Sequence, residues 1–304
     1  MIAHGDNFFR MQVVVYSNIF KEKDREYIQE LFNVLNEEGI NAYVYEPYLQ
    51  QLRGHIEFKR DVDAFNGYVD FTMDKRFDCV ITLGGDGTML AAAAEVRDSN
   101  IPIMGINLGR LGFLASIEKR RIKEAISLLK IGRWSIDERH LLHLESNRPL
   151  FGDMSFALND CTLVKRDTSS LITIHTYLNG AYLNTYWADG IIIATPTGST
   201  GYSLSCGGPI IFPRSGNFVI TPVAPHNLNV RPVVISDNAI VSFEIEGRAD
   251  NFLCTLDSRF RTVSADIQLA IRKCDFTVKL IELPDTDFMK TIRGKLLWGK
   301  DARN

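Results

Sequence analysis

The chain has 304 residues, which exceeds the usual size of a single domain and predicts two domains. Its 45% hydrophobic residues, 23% charged residues and net charge of −3 are typical of a globular protein and show no basic excess for binding nucleic acid. Five scattered cysteines without a C-x-x-C pair, and no apolar stretch of membrane-spanning length, predict a cytoplasmic protein without disulfides or a membrane partner.

The first half of the chain alternates predicted strands with predicted helices. Strands are predicted over residues 11–17, 40–45, 77–83 and 101–106. Helices are predicted over residues 21–38, 88–97 and 118–130. Residues 47–75 show no pattern that assigns an element. The β-α-β order predicts a Rossmann-like α/β domain with a parallel sheet and right-handed crossovers.

The second half consists of short β-branched or alternating segments separated by turn residues. Predicted strands cover residues 141–145, 155–158, 161–165, 171–178, 181–187, 190–195, 217–222, 233–236, 239–245, 252–256, 261–269 and 275–283. Asn179 and Gly180 predict a tight hairpin. These features predict a predominantly β, sandwich-like second domain.

The C-terminal segment 285–304 reads as a helix with Phe288, Ile292, Leu296 and Leu297 on one face, which we expect to pack back on the first domain. The predicted domains are therefore residues 1–135, residues 136–284 and this segment.

The stretch LGGDGTML, residues 83–90, follows an apolar strand and has the glycines of a phosphate-binding loop. Gly84, Gly85 and Gly87 could adopt positive φ and approach a bulky anion, and N–H groups at a helix start suit phosphate oxygens. Asp86 would repel a phosphate unless a metal lies between them or the carboxylate addresses another group, such as a hydroxyl about to be phosphorylated. The same residues also make ordinary tight turns, so the motif alone leaves both interpretations open.

A second glycine loop, NLGRLGFL at 107–114, follows the next strand. In a doubly wound sheet both loops would lie at the carboxyl ends of neighbouring strands, where ligands bind. Arg110 in this loop is a candidate phosphate contact or an exposed, solvated arginine, and we expect the second.

The β-rich half contains a polar loop at 195–205, directly after an apolar strand. Its threonines and serines supply hydrogen-bonding groups and Tyr202 supplies an aromatic plane, which together suit a nucleotide. The alternative is a surface loop held by turn chemistry. Asn159 and Asp160 would suit a ribose diol or a base amino group, although this pair also forms ordinary turns.

Four segments together resemble the bacterial NAD kinase family: GGDGT (84–88), NLGRLGFL (107–114), ALND (157–160) and DGIIIATPTGSTGYSLSCGGP (189–209). They occur in that family's order, and the resemblance extends from residue 11 to about residue 283. It implies phosphorylation of the adenosine-ribose 2′-hydroxyl of NAD by ATP, sometimes by polyphosphate, to give NADP. It also implies a divalent metal, usually Mg²⁺, whose ligands are not assigned, and a homodimer or homotetramer.

By position, the resemblance implies that Asp86 is the general base, and that Gly84, Gly85, Gly87 and Thr88 hold the donor phosphates. The residues implied for the NAD site are Asp86, Gly87, Phe113, Asn159, Asp160, Trp187, Asp189, Thr200, Gly201, Tyr202, Ser203, Leu204, Ser205 and Ala224. The chain departs from the family at Asp160, which replaces glutamate, at Gly201, where alanine is usual in many bacterial members, and at Trp187, where some members have a basic residue.

Two other functions compete with this interpretation. A diacylglycerol or sphingosine kinase shares the GGDG loop, but it calls for an apolar lipid site and does not predict the polar loop. A non-catalytic NAD-binding sensor would use the glycine loop only to sense nucleotide, and it has no need of the carboxylate of Asp86.

Overall fold

The computed structural model describes residues 10–73, 77–166, 171–246 and 252–298. The chain divides into two compact units. Met1–Asp137 and Lys279–Asn304 form the first, and Glu138–Val278 forms the second. The predicted boundary after residue 284 lies later in the chain than this division, and residues 299–304 of the predicted C-terminal segment lie outside the described residues.

The first unit is built on a parallel sheet in the order β5-β4-β1-β2-β3. Its strands are β1 Gln12–Tyr16, β2 Asn41–Tyr45, β3 Asp63–Phe65, β4 Cys79–Gly84 and β5 Ile103–Asn107, with the short β6 Ile117–Glu118 beside β5. Its helices up to residue 130 are α1 Arg25–Glu37, α2 Glu46–Leu52, α3 Tyr68–Thr72, α4 Asp86–Val96 and α5 Ile122–Lys130. The prediction of an α/β first domain with a parallel sheet is confirmed.

The sequence explains why this sheet is central. Val13, Val14 and Val15 of β1 are fully buried on both faces of the sheet, as expected for a parallel strand covered by helices. In α1, Ile28, Leu31 and Leu35 recur at helical spacing and join the same apolar core. The periodic pattern of the sequence therefore specified which face of each element became buried.

Several predicted elements differ in their bounds. The unassigned region contains α2, β3 and α3, which are too short to show a clear period. Helix α4 begins at Asp86 rather than at residue 88, and α5 begins at Ile122 after a short 3-10 turn rather than at residue 118. The predicted strand 261–269 is wrong, because a turn divides it between two strands.

The second unit contains two sheets in which the strands named here pair antiparallel. One has the order β11-β10-β15-β18, and the other has the order β14-β13-β12-β9-β16-β17. The strands are β7 Ser135–Ser146, β8 Phe156–Ala157, β9 Asp160–Lys165, β10 Ile172–Leu178, β11 Ala181–Ala188, β12 Gly190–Ala194, β13 Asn217–Val223, β14 Val233–Ser236, β15 Val241–Glu246, β16 Phe252–Leu256, β17 Arg259–Val263 and β18 Leu269–Glu282, with a short helix α6 Tyr202–Ser205. β7 pairs with β8 and β18.

Strand β12 shows how this unit is layered. Ile191 and Ile193 join a core that also contains Ile174 and Phe243 of the other sheet. Ile192 and Ala194 point to the opposite face and belong to a separate apolar cluster. The predicted sandwich-like architecture of the second domain is confirmed, and the polar loop that follows β12 lies beside the second cluster, to which Ile211 belongs.

The hairpin prediction is confirmed. Asn179 and Gly180 connect β10 to β11, and both have positive φ, 51° and 79°. That conformation matches the twist of two antiparallel strands joined by two residues.

Helix α7, Phe288–Leu296, is the last element of the described chain and belongs to the first unit. Asp287 caps it by accepting a hydrogen bond from the backbone N–H of Lys290 at 2.6 Å. Ile292 is buried, and the ammonium group of Lys295 lies against the ring of Phe113 in the same unit, so the predicted packing of this helix on the first domain is confirmed. Leu297, predicted on the same face, instead follows the helix end with φ 56° and is 60% exposed. In the part of the chain that the structure describes, no helix is long and apolar enough to cross a membrane.

Candidate functional site

The carboxylate of Asp86 is held by the second glycine loop. Its Oδ2 accepts a hydrogen bond from the N–H of Phe113 at 2.8 Å, and its Oδ1 accepts from the N–H groups of Leu114 and Ala115, each at 3.0 Å. Since β4 and β5 are neighbouring parallel strands, the two loops that follow them lie together, as predicted. Three charge-assisted bonds fix one orientation of this side chain.

Gly112 makes room for that orientation. A Cβ at this position would lie 1.8 Å from Asp86 Oδ1 and 2.6 Å from its carboxyl carbon. No side chain can be accommodated there unless the carboxylate moves. The sequence predicted a glycine loop here, but the need for glycine at residue 112 comes from its contact with Asp86.

The glycines of the first loop act differently from the prediction. None of Gly84, Gly85 and Gly87 has φ in the left-handed region, so the expectation that they serve positive φ is wrong. A Cβ on Gly84 would lie 2.1 Å from the Thr88 hydroxyl oxygen, whereas a Cβ on Gly85 or Gly87 would meet nothing within 4 Å. The start of α4 is therefore open at two glycines, beside N–H groups that helix geometry leaves available for an anion.

Asn107 braces the second loop from the end of β5. Its side chain donates to the carbonyl of Ala115 at 3.3 Å and accepts from the N–H of Gly109 at 2.7 Å. Asn107 is 3% exposed, so these bonds are made in a buried setting. Arg110, at the tip of the loop, is exposed as expected, and Phe113 is half-buried.

In the second unit, Asn159 and Asp160 lie in a turn held by Asp257. The Asp257 carboxylate accepts from the N–H groups of Leu158 at 3.0 Å, Asn159 at 2.7 Å and Asp160 at 3.3 Å. Asp257 has φ 53°, an uncommon conformation for aspartate. Sequence reasoning missed this residue, and the available signal was only an acid directly after the apolar strand β16.

The electrostatics of this turn are unusual. Burial, helped by the nearby Asp257, raises the pKa of Asp160 to about 7, although a hydrogen bond from Thr162 opposes the shift. Burial likewise raises the pKa of Asp257. The side-chain oxygen of Asn159 is buried and has no hydrogen-bond partner among the described residues. Buried polar atoms normally have partners, so this oxygen points to a site that a ligand or water completes.

The start of the polar loop is fastened to the same turn. Thr195 donates its hydroxyl to the carbonyl of Leu158 at 2.5 Å and accepts from the N–H of Gly198 at 3.1 Å. A Cβ on Gly198 would lie 2.0 Å from the Asn159 carbonyl oxygen. The close approach of the two segments therefore requires glycine at residue 198.

Most hydroxyls of the loop bond within the protein. Ser199, fully buried, donates to Pro196 and accepts from the N–H of Ile211 at 3.0 Å. Ser203 is also fully buried, and its hydroxyl lies 2.8 Å from that of Thr221. These serines build the loop, and so only part of the predicted binding surface is available to a ligand.

Other residues of the loop remain accessible. Tyr202 is 45% exposed and Ser205 is exposed, whereas Gly201 and Leu204 are half-buried. Thr200 is half-buried and donates to the carbonyl of Thr197 at 3.1 Å. Among the loop residues predicted to bind NAD, Tyr202 and Ser205 are therefore the most exposed.

Asp189 lies at the other end of β12. Asp160 pairs with Ala194 in the sheet, whereas Asp189 precedes Gly190 and pairs its carboxylate with Lys165 at 2.6 Å. About five residues of strand separate the two acids, or roughly 17 Å. The pKa of Tyr202 is raised chiefly by burial and next by the neighbouring Cys206 thiol, with smaller contributions from Asp189 and Asp160.

Trp187 and Ala224 lie near Asp189. The carbonyl of Trp187 accepts from the N–H of His226 at 2.8 Å, and the N–H of Asp189 donates to Val223, the residue before Ala224. Ala224 is exposed and has φ 44°, and Trp187 is 52% exposed. The second unit therefore brings predicted residues into a group at each end of β12.

Among the described residues, no group of three or more His, Cys, Asp or Glu side chains could hold a metal ion. The glycine loop itself offers one carboxylate, and both of its oxygens already accept backbone hydrogen bonds. These residues do not form a dedicated metal cage. A Mg²⁺ ion in such a site would depend mainly on phosphate and water oxygens.

Two family models match the chain. Residues 11–133 match the ATP-NAD kinase N-terminal domain, and residues 158–283 match the ATP-NAD kinase C-terminal domain. An NAD kinase of Cytophaga hutchinsonii is 45% identical over 97% of this chain and 100% of its own length. An NAD kinase of Bacteroides fragilis is 41% identical over 96% of this chain and its full length.

Two solved structures share the fold. Yeast NADH kinase, solved in complex with NADH, has a TM-score of 0.84 at 22% identity and covers 96% of this chain and 89% of its own. An NAD kinase from Archaeoglobus fulgidus, solved in complex with ATP, has a TM-score of 0.72 at 20% identity and covers 94% of this chain and 97% of its own.

Proposed function

This chain belongs to the NAD kinase family, it phosphorylates NAD with ATP, and we propose that Asp86 is the general base of that reaction. The proposal rests on one observation above all, the carboxylate of Asp86 held by three backbone N–H groups beside the open start of α4. In this arrangement the fixed carboxylate would accept the proton of the acceptor hydroxyl, and the start of α4 would bind the phosphates of the donor.

In the proposed step, Asp86 takes the proton of the adenosine-ribose 2′-hydroxyl of NAD. The hydroxyl oxygen forms a bond to the γ-phosphorus of ATP, the bond from that phosphorus to the β,γ-bridging oxygen breaks, and ADP leaves. Phosphoryl transfer has a loose transition state, so orientation of the hydroxyl and electrostatic stabilisation supply most of the acceleration. The three N–H bonds orient the carboxylate before substrate arrives.

The donor phosphates are proposed to bind at Gly84, Gly85, Gly87 and Thr88. The free space at Gly85 and Gly87 supports this assignment, because phosphate oxygens could approach the N–H groups of the first turn of α4. Mg²⁺ is proposed as the required metal, which when bound neutralises charge on the donor phosphates. Polyphosphate is a second candidate donor of the same chemistry.

In the first unit we propose Phe113 and Gly87 as NAD-binding residues. In the second unit the proposed NAD-binding residues lie at the two ends of β12. Asn159, with its unpartnered side-chain oxygen, and Asp160 would bind polar groups of adenosine. Tyr202 and Ser205 offer exposed polar groups, and Asp189 and Trp187 lie at the far end of the strand. The remaining proposed NAD-site residues are Thr200, Gly201, Ser203, Leu204 and Ala224. We further propose a cytoplasmic homodimer or homotetramer.

The test of the base is the Asp86→Asn variant. Incubation with ATP, Mg²⁺ and NAD, followed by an NADP-specific dehydrogenase, measures NADP directly. We expect about a thousandfold loss of kcat, because general-base contributions are typically of this order. Asp61→Asn, at an exposed acid of the same unit, is the matched control and should retain activity.

The same assay separates the competing functions. Undiminished NADP formation by Asp86→Asn would exclude Asp86 as the base. A wild-type protein that binds NAD but forms no NADP would be a sensor, and one that phosphorylates diacylglycerol in vesicles instead of NAD would be a lipid kinase.

A further inference from the structure

A lysine of the C-terminal helix lies against the loop that holds Asp86. The Nζ atom of Lys295 lies 4.8 Å from the ring centroid of Phe113, and the N–H of Phe113 is one of the three donors to Asp86. Lys295 is in the last turn of α7 and is exposed. Within the described ranges, no carboxylate lies within ion-pair distance of this ammonium group.

The glycine loop lacks positive charge of its own. Residues 77–96, which span β4, the loop and α4, contain no lysine and no arginine, while Asp86 adds a negative charge. A nucleoside triphosphate carries several negative charges, and the partial positive charge of a helix start offsets only part of one. The proposed Mg²⁺ would neutralise part of this charge, and Arg110 of the neighbouring loop is exposed. A further cation beside the loop would strengthen binding of the donor.

We propose that Lys295 is this cation and that its ammonium group binds the phosphates of the nucleoside triphosphate donor. The inference rests on the proposed function of the glycine loop and extends its donor site to the C-terminal helix. The contact with the Phe113 ring holds the ammonium close to the loop, and such a contact at an exposed site is weak enough to be exchanged for a phosphate. Lysine is a common point-charge ligand for phosphate.

The Lys295→Met variant tests the charge while retaining the apolar stem and a favourable contact with the Phe113 ring. We expect the KM for ATP to rise about tenfold, the size of effect typical for loss of one charged hydrogen bond, with kcat and the KM for NAD changed less than about threefold. Lys295→Arg should keep the KM for ATP within about threefold of wild type, because the charge remains.

Lys290→Ala is the matched control on the same helix. Its ammonium donates to the Asp285 carbonyl at 2.8 Å, at the opposite end of α7 from Lys295. Its KM for ATP should equal that of wild type. Direct binding of a fluorescent ATP analogue without NAD gives a second readout, which Lys295→Met should weaken about tenfold.

Ionic strength provides a further criterion. Because salt screens charge–charge contacts, the KM for ATP should rise with salt more steeply in wild type than in Lys295→Met. If Lys295→Met instead lowers kcat and leaves both analogue binding and the KM for ATP unchanged, Lys295 only positions the loop and the proposal is wrong. Failure of the wild-type protein to make NADP from ATP would reject the proposed function itself, independently of either lysine variant.

Discussion

The glycine loop of the first unit and the polar loop of the second use their residues in opposite ways. In the first, backbone N–H groups hold one side chain, Asp86, and glycines leave space around it. In the second, side-chain hydroxyls stabilise the loop, and those of Ser199 and Ser203 form hydrogen bonds within the protein. A motif rich in polar residues can therefore be mainly scaffold, whereas one rich in glycine can present a single reactive group.

This difference also separates what each loop can tolerate. The Asp86 carboxylate depends on the space left by a neighbouring glycine. A side chain in that space would displace the carboxylate from the three backbone N–H groups that hold it. A loop built from side-chain hydrogen bonds loses stability when a hydroxyl is removed, while its exposed groups continue to face the ligand. Substitutions in the two loops should consequently affect different measured quantities.

The largest effect is expected for Gly112→Ala. The new Cβ would lie 1.8 Å from Asp86 Oδ1, so the carboxylate must turn away and leave its N–H donors. We expect kcat for NADP formation to fall about a thousandfold, close to the loss expected for a general base. Gly109→Ala in the same loop is the control, because its Cβ would only reach ordinary contact, 3.8 Å from the Asn107 side chain. Equal kinetics in the two variants would contradict the spatial argument.

An intermediate effect is expected for the pH dependence of stability through Asp160. Its pKa is raised to about 7 in the folded protein, whereas the unfolded chain releases this proton near pH 4. The folded state therefore binds more protons between these values, and the free energy of unfolding falls as pH rises from about 4 to about 7.

Asp160→Asn should remove this contribution, which we expect to be about 2 kcal/mol. Urea unfolding of wild type and variant at pH 5 and pH 8 gives the measurement. From pH 5 to pH 8, the free energy of unfolding should fall more in wild type than in the variant. Identical differences would show that Asp160 is ionised in the folded protein throughout this range.

The smallest effect is expected from the serines of the polar loop. Ser203→Ala removes a fully buried hydroxyl that lies 2.8 Å from that of Thr221, and should lower the free energy of unfolding by about 1 to 2 kcal/mol. Ser205→Ala removes an exposed hydroxyl and should leave stability unchanged while raising the KM for NAD a few-fold. Urea unfolding and NADP kinetics on both variants measure the two quantities, and a reversed result would show that the buried serine belongs to the binding surface.

The sequence predicted the secondary-structure elements well where the signal is local. Hydrophobic periodicity identified the strands and helices of the first unit, and Asn179 with Gly180 identified a hairpin through their preference for positive φ. Local signals failed where elements are short, as in α3, and where a turn divides an apparently continuous strand, as between β17 and β18.

The long-range hydrogen bonds of the two sites could not be predicted from the sequence. Asp257 binds the N–H of Asn159 across 98 positions of the chain, and Asp86 binds that of Ala115 across 29. A pattern of residue types does not encode such pairs, because many acids and many turns could form them. Only the fold selects which acid meets which turn.

By itself, the sequence determined the α/β and β-rich halves of this protein and the positions of its two glycine loops, because periodicity and turn chemistry act over a few residues. The tertiary structure alone decided that Gly112 makes room for Asp86, that the hydroxyl of Ser203 is buried beside that of Thr221, and that Lys295 lies over Phe113. Each of these depends on a close approach between segments distant in the chain, and distances of that kind are set only when the core has packed.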